Sequence, residues 1–452
     1  MPDSFMRMLS EMTGKMNPET ILSSLIRINT TNPPGNETAA AQFLHGLFSQ
    51  AGIHCEILEG AKGRGNFLAQ LGSDDPAAPR LLFLSHLDVV PPGNGWSFEP
   101  FAGDIQQGCV RGRGALDCKD MVAAEAAAML ALAQLHRDSP LRGKLIFAAV
   151  ADEERGGRNG IQYLIRQHRS RIEADFVVNE GAEDPLRLGN EVFYFIQTGE
   201  KGLAWSTLRA RGRTAHGSQP SLGSNAILTM SRALDRIGRY RPEVVLIPEV
   251  RRLLKTLADR RGWQEPLNPQ NLDRFLSTWE DRGFAASLES MTRMTISPNM
   301  IKGGLKTNVV PDLCEVSADI RVLPGQDREY ALGQLQQCAG NRIEIDMPTF
   351  HPPSFTASDT PYYRIMEQAI SQVCSSASGK PRVICLPMLS TGATDSRFLR
   401  QAGFLCYGAE VLAPDFPPDI RLTIHGADER IDINSLHYFT GFFFQLARLY
   451  LG

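Results

Sequence analysis

No apolar run in the 452 residues reaches the roughly 18 needed to cross a bilayer. The most apolar stretch, 439–451, is short and is broken by Gln445 and Arg448, so it reads as a helix docked on a core. The first twenty residues hold no apolar centre of a signal peptide. Blocks of basic charge are missing and the net charge is -3, which gives no footing for nucleic acid as a partner. The eight cysteines (55, 109, 118, 314, 338, 374, 385 and 406) form no C-x-x-C pair. Scattered free thiols without a secretion signal point to a reducing, cytoplasmic setting. The motifs G-x-S-x-G, H-E-x-x-H and G-x-x-x-x-G-K-[ST] are also absent, and with them several rival chemistries. There is no internal repeat and no low-complexity tract.

What is present is a globular composition, 42% hydrophobic and 21% charged, on a chain too long for one core. The stretch 81–120 organises it. An apolar run at 81–84 has the length of a strand buried on both faces. His86 and Asp88 follow one residue apart, so a continuing extended backbone would turn both to the same side. A loop rich in Gly, Pro and aromatics leads to Asp117, which stands before an Ala-rich helix expected at 119–135. An imidazole and two carboxylates at the mouth of a strand suit a metal site better than a core. One of those carboxylates could orient the imidazole rather than bind metal.

Two amphipathic helices are expected at 18–28 and 37–51, around the Pro-Pro-Gly turn at 33–35. Strands at 55–58, 66–70 and 144–150 follow, the last running into Asp152, Glu153 and Glu154. After a helix at 159–167, a strand at 175–178 ends in Asn179-Glu180-Gly181. This alternation predicts an α/β domain with a mostly parallel sheet flanked by helices. Acidic and His residues then sit at the carboxyl ends of three successive buried strands, where open α/β sheets place their ligand crevice. From about 199 the pattern changes to an α+β style, with strands at 204–210 and 314–321, a helix at 224–239 and a charged helical insertion at 242–294. Near 351 the first style resumes, with a helix at 361–373, a strand at 382–385 and a turn at 389–395. The division is therefore 1–198 and 351–452 for one domain, with 199–350 inserted into it.

His86, Asp117, Glu154, Glu180 and His425 offer two imidazoles and three carboxylates. That is too many for one tetrahedral ion with an open position, and it suits two ions sharing a carboxylate. Glu153 and Glu154 diverge in direction, so one can bind metal while the other faces the attacking water as general base. Blander readings exist. A lone His86 is more often structural, a Glu-Glu pair is often a solvated strand end, and Cys118 suits a small buried hydrophobe better than a ligand. Recurrence at three strand ends of one sheet outweighs them. His45, His54, His136 and His168 receive no role.

Ser85-His86-Leu87-Asp88-Val89-Val90-Pro91, Trp96, Pro100-Phe101 and Gly112-Arg113-Gly114-Ala115-Leu116-Asp117 resemble the signature of the di-zinc amidohydrolase and exopeptidase family. That family holds acetylornithine deacetylase, succinyl-diaminopimelate desuccinylase, aminoacylase and glutamate carboxypeptidase. Asp152-Glu153-Glu154, Asn179-Glu180-Gly181 and His425-Gly426 continue the match in order. The resemblance implies that Asp117 bridges two divalent ions, zinc with cobalt or manganese as alternatives. His86 and Glu180 would hold one ion and Glu154 and His425 the other, with Glu153 as general base and Asp88 orienting His86. It also implies a cis peptide after Asp117 and makes the inserted domain a lid that forms a homodimer. His216 in Gly212-Arg213-Thr214-Ala215-His216-Gly217 would reach a partner subunit's site. Asn308, Arg321, Gly392 and Arg397 would face substrate, although either Arg could equally make a surface ion pair. Cys118 and the 242–294 insertion depart from common members.

The resulting expectation is a metal-dependent hydrolase of an amide bond beside a free carboxylate, in an N-acyl amino acid or a dipeptide. Its alternatives are a deacylase dedicated to one biosynthetic intermediate, of the acetylornithine or succinyl-diaminopimelate type, and a non-catalytic metal-binding dimeric scaffold. Glu153 speaks against the scaffold, because metal binding alone does not require it.

Overall fold

In the computed structural model, which describes residues 17–138, 141–374 and 381–452, the first element shows how local chemistry sets an element's ends. The helix Pro18–Arg27 opens on Asn17, whose side chain accepts from Thr20 N at 3.0 Å, with Pro18 in its first turn. Its apolar face, Ile21, Leu22, Leu25 and Ile26, is buried. Lys119 Nζ donates to the carbonyls of Leu25 (2.9 Å) and Ile28 (2.8 Å) at the far end, where helix carbonyls lack partners. Most of the leading segment read above for a signal peptide, up to residue 16, lies outside the described residues.

The chain divides into two compact units, one of 1–198, 356–387 and 394–452, the other of 199–355 and 388–393. The first contains a sheet in the order His54–Glu59, Gly65–Gly72, Lys144–Val150, Arg80–His86, Phe176–Asn179, Cys406–Gly408 and Glu191–Glu200. Its centre, from Lys144–Val150 to Cys406–Gly408, is parallel. Antiparallel strands extend it on both sides, which the sequence pattern did not distinguish. Alternation along the central strands feeds two cores: Leu81 and Phe83 point into one, Leu82 and Leu84 into the other. On the first face the helix Lys119–Asp138, buried on every side from 119 to 132, packs against Pro18–Arg27 and Ile433–Leu451. Its alanines let the neighbouring helices approach. Phe443 of the last helix meets Phe83 edge-on at 4.7 Å. The 439–451 segment is thus a docked helix, as its composition predicts.

Register decides where the chemistry goes. His86 pairs opposite Val150, and Phe83 opposite both Phe147 and Val178, so the three strands end at one edge. A separate three-stranded sheet has Cys109–Arg111 at its centre, paired with Asp104–Gln106 on one side and with the distant Arg430–Asp432 on the other. That pairing has no local sequence signal.

The second unit is α+β. Four antiparallel strands run in the order Thr295–Gly303, Leu313–Val322, Gly202–Arg211 and Ile343–His351. Cys314, Val316, Ala318, Ile320 and Val322, every second residue of one strand, bury a single face. The helices Ala226–Arg239 and Arg328–Ala339 contribute Met230, Ala233, Ala331 and Leu335 to that core. The insertion forms three helices, Pro248–Arg260, Leu272–Ser277 and Arg282–Ser290.

Candidate active site

Each cluster residue stands where regular structure stops. His86 is the last residue of its strand, and Glu180 directly follows Phe176–Asn179. Glu153 and Glu154 open the 3-10 turn Glu153–Arg155 after Lys144–Val150. Asp117 precedes the long buried helix, and the Asp117–Cys118 peptide is cis, as the resemblance implies. His425 lies in the loop before Arg430–Asp432, with φ +57.

These residues converge. Asp117 Oδ1 lies 3.0 Å from His86 Nε2, while Oδ2 lies 2.8 Å from His425 Nε2. Glu180 Oε1 is 3.8 Å from His86 Nε2, and Glu154 Oε1 is 3.4 Å from His425 Nε2. One carboxylate therefore addresses two imidazoles, each with a second carboxylate of its own. Cys118 Sγ also lies within 4.8 Å of ligand atoms of His86 and Glu180, but it accepts from His86 N at 3.3 Å and packs in the core.

Electrostatics is strained in a way a cation would relieve. Burial works against ionisation of Asp117, yet His425 and His86 hold its carboxyl well below the usual range. The Asp117 carboxylate 2.8 Å away, and then that of Glu154 at 3.4 Å, push the His425 imidazole up to about 10. Burial opposes charge on His86, but Cys118, Glu180 and Asp117 raise it well above an ordinary imidazole. Glu153 and Glu180 are raised well above normal, by burial first and then by neighbouring carboxylates. Glu154 Oε1 is buried with no hydrogen bond. Crowded carboxylates, an orphaned oxygen and two imidazoles that share Asp117 are a donor set fitted to divalent cations.

Asp88 works mainly through its surroundings. His86 Nδ1 is closest to the Asp88 backbone carbonyl, at 2.9 Å, and lies 3.5 Å from its carboxylate. That carboxylate accepts from Glu153 N (3.1 Å), Glu154 N (3.2 Å) and Asn32 Nδ2 (2.8 Å). It thus fixes the turn carrying both glutamates. Asp152, at φ +71, is engaged by Arg64, Asn32 and the backbone and side chain of Asn159. Asn32 and Arg64 escaped the sequence reading because neither stands in a recognisable spacing. Asn32 was visible only as the residue before a Pro-Pro-Gly turn, and Arg64 only as one shortly before an expected strand.

His216, exposed, shares Nδ1 with Ser218 Oγ at 2.8 Å, and Gly217 N donates to Asn308 O at 2.8 Å. Arg321 pairs with Asp319 through Nε–Oδ1 at 2.7 Å and Nη2–Oδ2 at 3.1 Å. Gly392 N donates to Ser390 Oγ at 3.2 Å. These four belong to the second unit. Arg397, in the first, lays its guanidinium 4.5 Å from the centroid of the Phe398 ring, and its Nε is buried without a hydrogen bond.

An α/β sheet edge carrying such a cluster defines a metal-dependent hydrolase. The model of peptidase family M20/M25/M40 matches residues 82–449, and the chain belongs to that family. It is 26% identical over 450 residues to the N-fatty-acyl-amino acid synthase/hydrolase PM20D1 of Homo sapiens, covering 94% of this chain and 86% of that protein. It is 28% identical over 395 residues to a succinyl-diaminopimelate desuccinylase of Bradyrhizobium sp., covering 84% and 87%. Its fold is similar to that of the M20 family metallo-carboxypeptidase Sso-CP2 of Sulfolobus solfataricus, with TM-score 0.69 and 21% identity over 95% of this chain and 98% of that one. Among the described residues no helix is long and apolar enough to cross a membrane.

Proposed function

We propose that this chain hydrolyses an amide bond adjacent to a free carboxylate, with an N-acyl amino acid as substrate and dipeptides as the related class. The observation that carries the reading is the Asp117 carboxylate, whose two oxygens lie 3.0 and 2.8 Å from two different imidazoles. His86, Asp117 and Glu180 would hold one divalent ion, and Asp117, Glu154 and His425 the other. Zinc suits this nitrogen and carboxylate set, with cobalt or manganese as substitutes. Bound there, the ions would supply Lewis acidity toward the scissile carbonyl and lower the pKa of the attacking water.

Glu153 takes the proton of that water and returns it to the departing amine. Asp88 holds Glu153 and Glu154 through their backbone N–H groups, so base and ligand keep their spacing. In the second unit, acting as lid, His216 donates to the oxyanion, while Asn308, Arg321 and Gly392, with Arg397 of the first unit, receive the substrate carboxylate and its surroundings. Arg321 would have to exchange part of its Asp319 pair for that carboxylate. The lid also pairs two chains, with His216 serving the partner. Exposed Leu228, Met300 and Ile301 on its outer helix and edge strand support a homodimer. Eight free cysteines suit a reducing cytoplasm.

Apo-protein reloaded with zinc, cobalt or manganese and offered a panel of N-acyl amino acids and dipeptides tests the reading. Metal-dependent release of free amine supports it. Turnover of one acyl-amino acid alone marks a dedicated deacylase, and no release from any substrate with two ions bound rejects hydrolysis.

A further inference from the structure

Asp117 and His425 are 308 residues apart, yet their side chains meet at 2.8 Å in loops with no regular structure. Something must fix one loop against the other. The strand Arg430–Asp432 pairs with Cys109–Arg111, Ile431 opposite Val110, and so brings the two loops alongside. Beyond that pairing, two fully buried side chains cross between them.

Glu429 reaches from the His425 loop to the Asp117 loop. Its Oε1 accepts from Gly114 N at 3.0 Å and from Leu116 N, next to Asp117, at 2.8 Å. Its backbone carbonyl accepts from Gly112 N at 2.9 Å. Arg113 reaches the opposite way. Its Nη2 donates to the carbonyl of Gly426, next to His425, at 2.9 Å, and to that of Pro92 at 3.3 Å. Arg113 Nη1 and Glu429 Oε2 close the arrangement as a short buried ion pair, with the guanidinium 5.2 Å from the Trp96 ring centroid. Each side chain therefore grips the backbone beside the other loop's functional residue.

We infer that Arg113 and Glu429 are positioning residues that set His425 against Asp117 and so tune the affinity of the one ion that needs both. The inference rests on the two-ion reading above. The ion on His86, Asp117 and Glu180 does not use His425, so loosening this crossed pair should weaken the two ions unequally. A residue that merely stabilised the fold would not make that distinction. Glu429→Gln keeps an oxygen for Gly114 N and Leu116 N but loses the charge that anchors Arg113. Arg113→Lys keeps a charge but cannot span Glu429 and Gly426 together.

The test is zinc titration of apo-protein against a chromophoric chelator, with apo-protein melting temperatures recorded in parallel. Wild type should hold two ions. Glu429→Gln should weaken one of them roughly 10–100-fold, the usual range for loss of a partner behind a metal ligand, and leave the other within about threefold. Arg113→Lys should repeat the pattern and serves as the second variant if Glu429→Gln fails to fold. In a His425→Ala background, Glu429→Gln should have no further effect on zinc affinity. A wild type that holds one ion overturns the two-ion reading and this inference with it. A wild type that holds two, with both variants lowering both affinities alike or neither, overturns the inference alone. So does a Glu429→Gln effect that persists undiminished without His425.

Discussion

Replacing Asp117 by Ala removes the one group that both halves of the cluster share. Its oxygens lie 3.0 Å from His86 Nε2 and 2.8 Å from His425 Nε2, and no other carboxylate contacts both imidazoles among the described ion pairs. Without it each proposed ion keeps two protein ligands, one imidazole and one carboxylate, instead of three. Four-ligand structural zinc sites in small peptides bind with roughly 10–16 kcal/mol, so one ligand is worth about 2.5–4 kcal/mol, or some 70- to 1,000-fold in affinity. Both ions should suffer, because the lost carboxylate served both. Elemental analysis after dialysis against zinc at a fixed low concentration should find close to two ions in wild type and well under one in Asp117→Ala. The variant with two ions still tightly held refutes the shared carboxylate. A single ion lost with the other unaffected assigns Asp117 to one ion only.

Glu153→Gln should keep both ions and lose about 10²–10⁴-fold in turnover, since an amide cannot accept the proton; near-normal turnover moves the base elsewhere. Asp152 is a poor substitute, because its two oxygens are already engaged by Arg64, Asn32 and Asn159. Phe443→Ala deletes a fully buried ring that contacts Phe83, Phe439 and Phe442, and should cost about 3–5 kcal/mol in urea unfolding; a loss below 1 kcal/mol contradicts the docked-helix core. Burial, and then Arg321, pulls the Lys201 ammonium down to about 7, below its unfolded value, so folding penalises the charged form. That penalty is complete below pH 7 and fades as pH rises toward the unfolded pKa of about 10.4, so stability should climb over this window in wild type and less in Lys201→Met. An unchanged slope in the variant removes Lys201 as the cause. Subunit exchange between inactive Glu153→Ala and His216→Ala should return roughly a quarter of wild-type activity if His216 serves the partner, since about half the dimers are mixed and each has one intact site. Confirmed exchange with no recovery makes His216 act within its own chain or not at all.

The strand-end residues were legible because each is attached to a signal with a period. The runs at 81–84 and 144–150 are apolar on both faces, and their end is where polar residues begin, so His86, Glu153 and Glu154 could be located without any tertiary information. Glu180 followed by the same logic. The antiparallel flanks were not legible, since a buried strand looks the same whichever way its neighbour runs. Arg113 stands inside one recognised motif and Glu429 three residues past another, and neither carried a role at that level. A side chain that acts through backbone groups more than 300 residues away leaves no spacing to read. Asn32 and Arg64 leave none either, since they act on the side chains of Asp88 and Asp152, 56 to 120 residues away.

The cluster is thus assembled by two different kinds of restraint. A parallel sheet can present His86, the Glu153–Glu154 turn and Glu180 at one edge through register alone, because adjacent strands fix those residues within a few ångströms. It cannot supply Asp117 and His425, which come from loops and would otherwise pay for their order in conformational entropy. Those two are held instead by the Cys109–Arg111 and Arg430–Asp432 pairing and by buried side chains that cross between the loops. Substitutions in the sheet should therefore act on global stability. Substitutions in the crossed loops should act on the balance between the two halves of the site, with the sheet still folded.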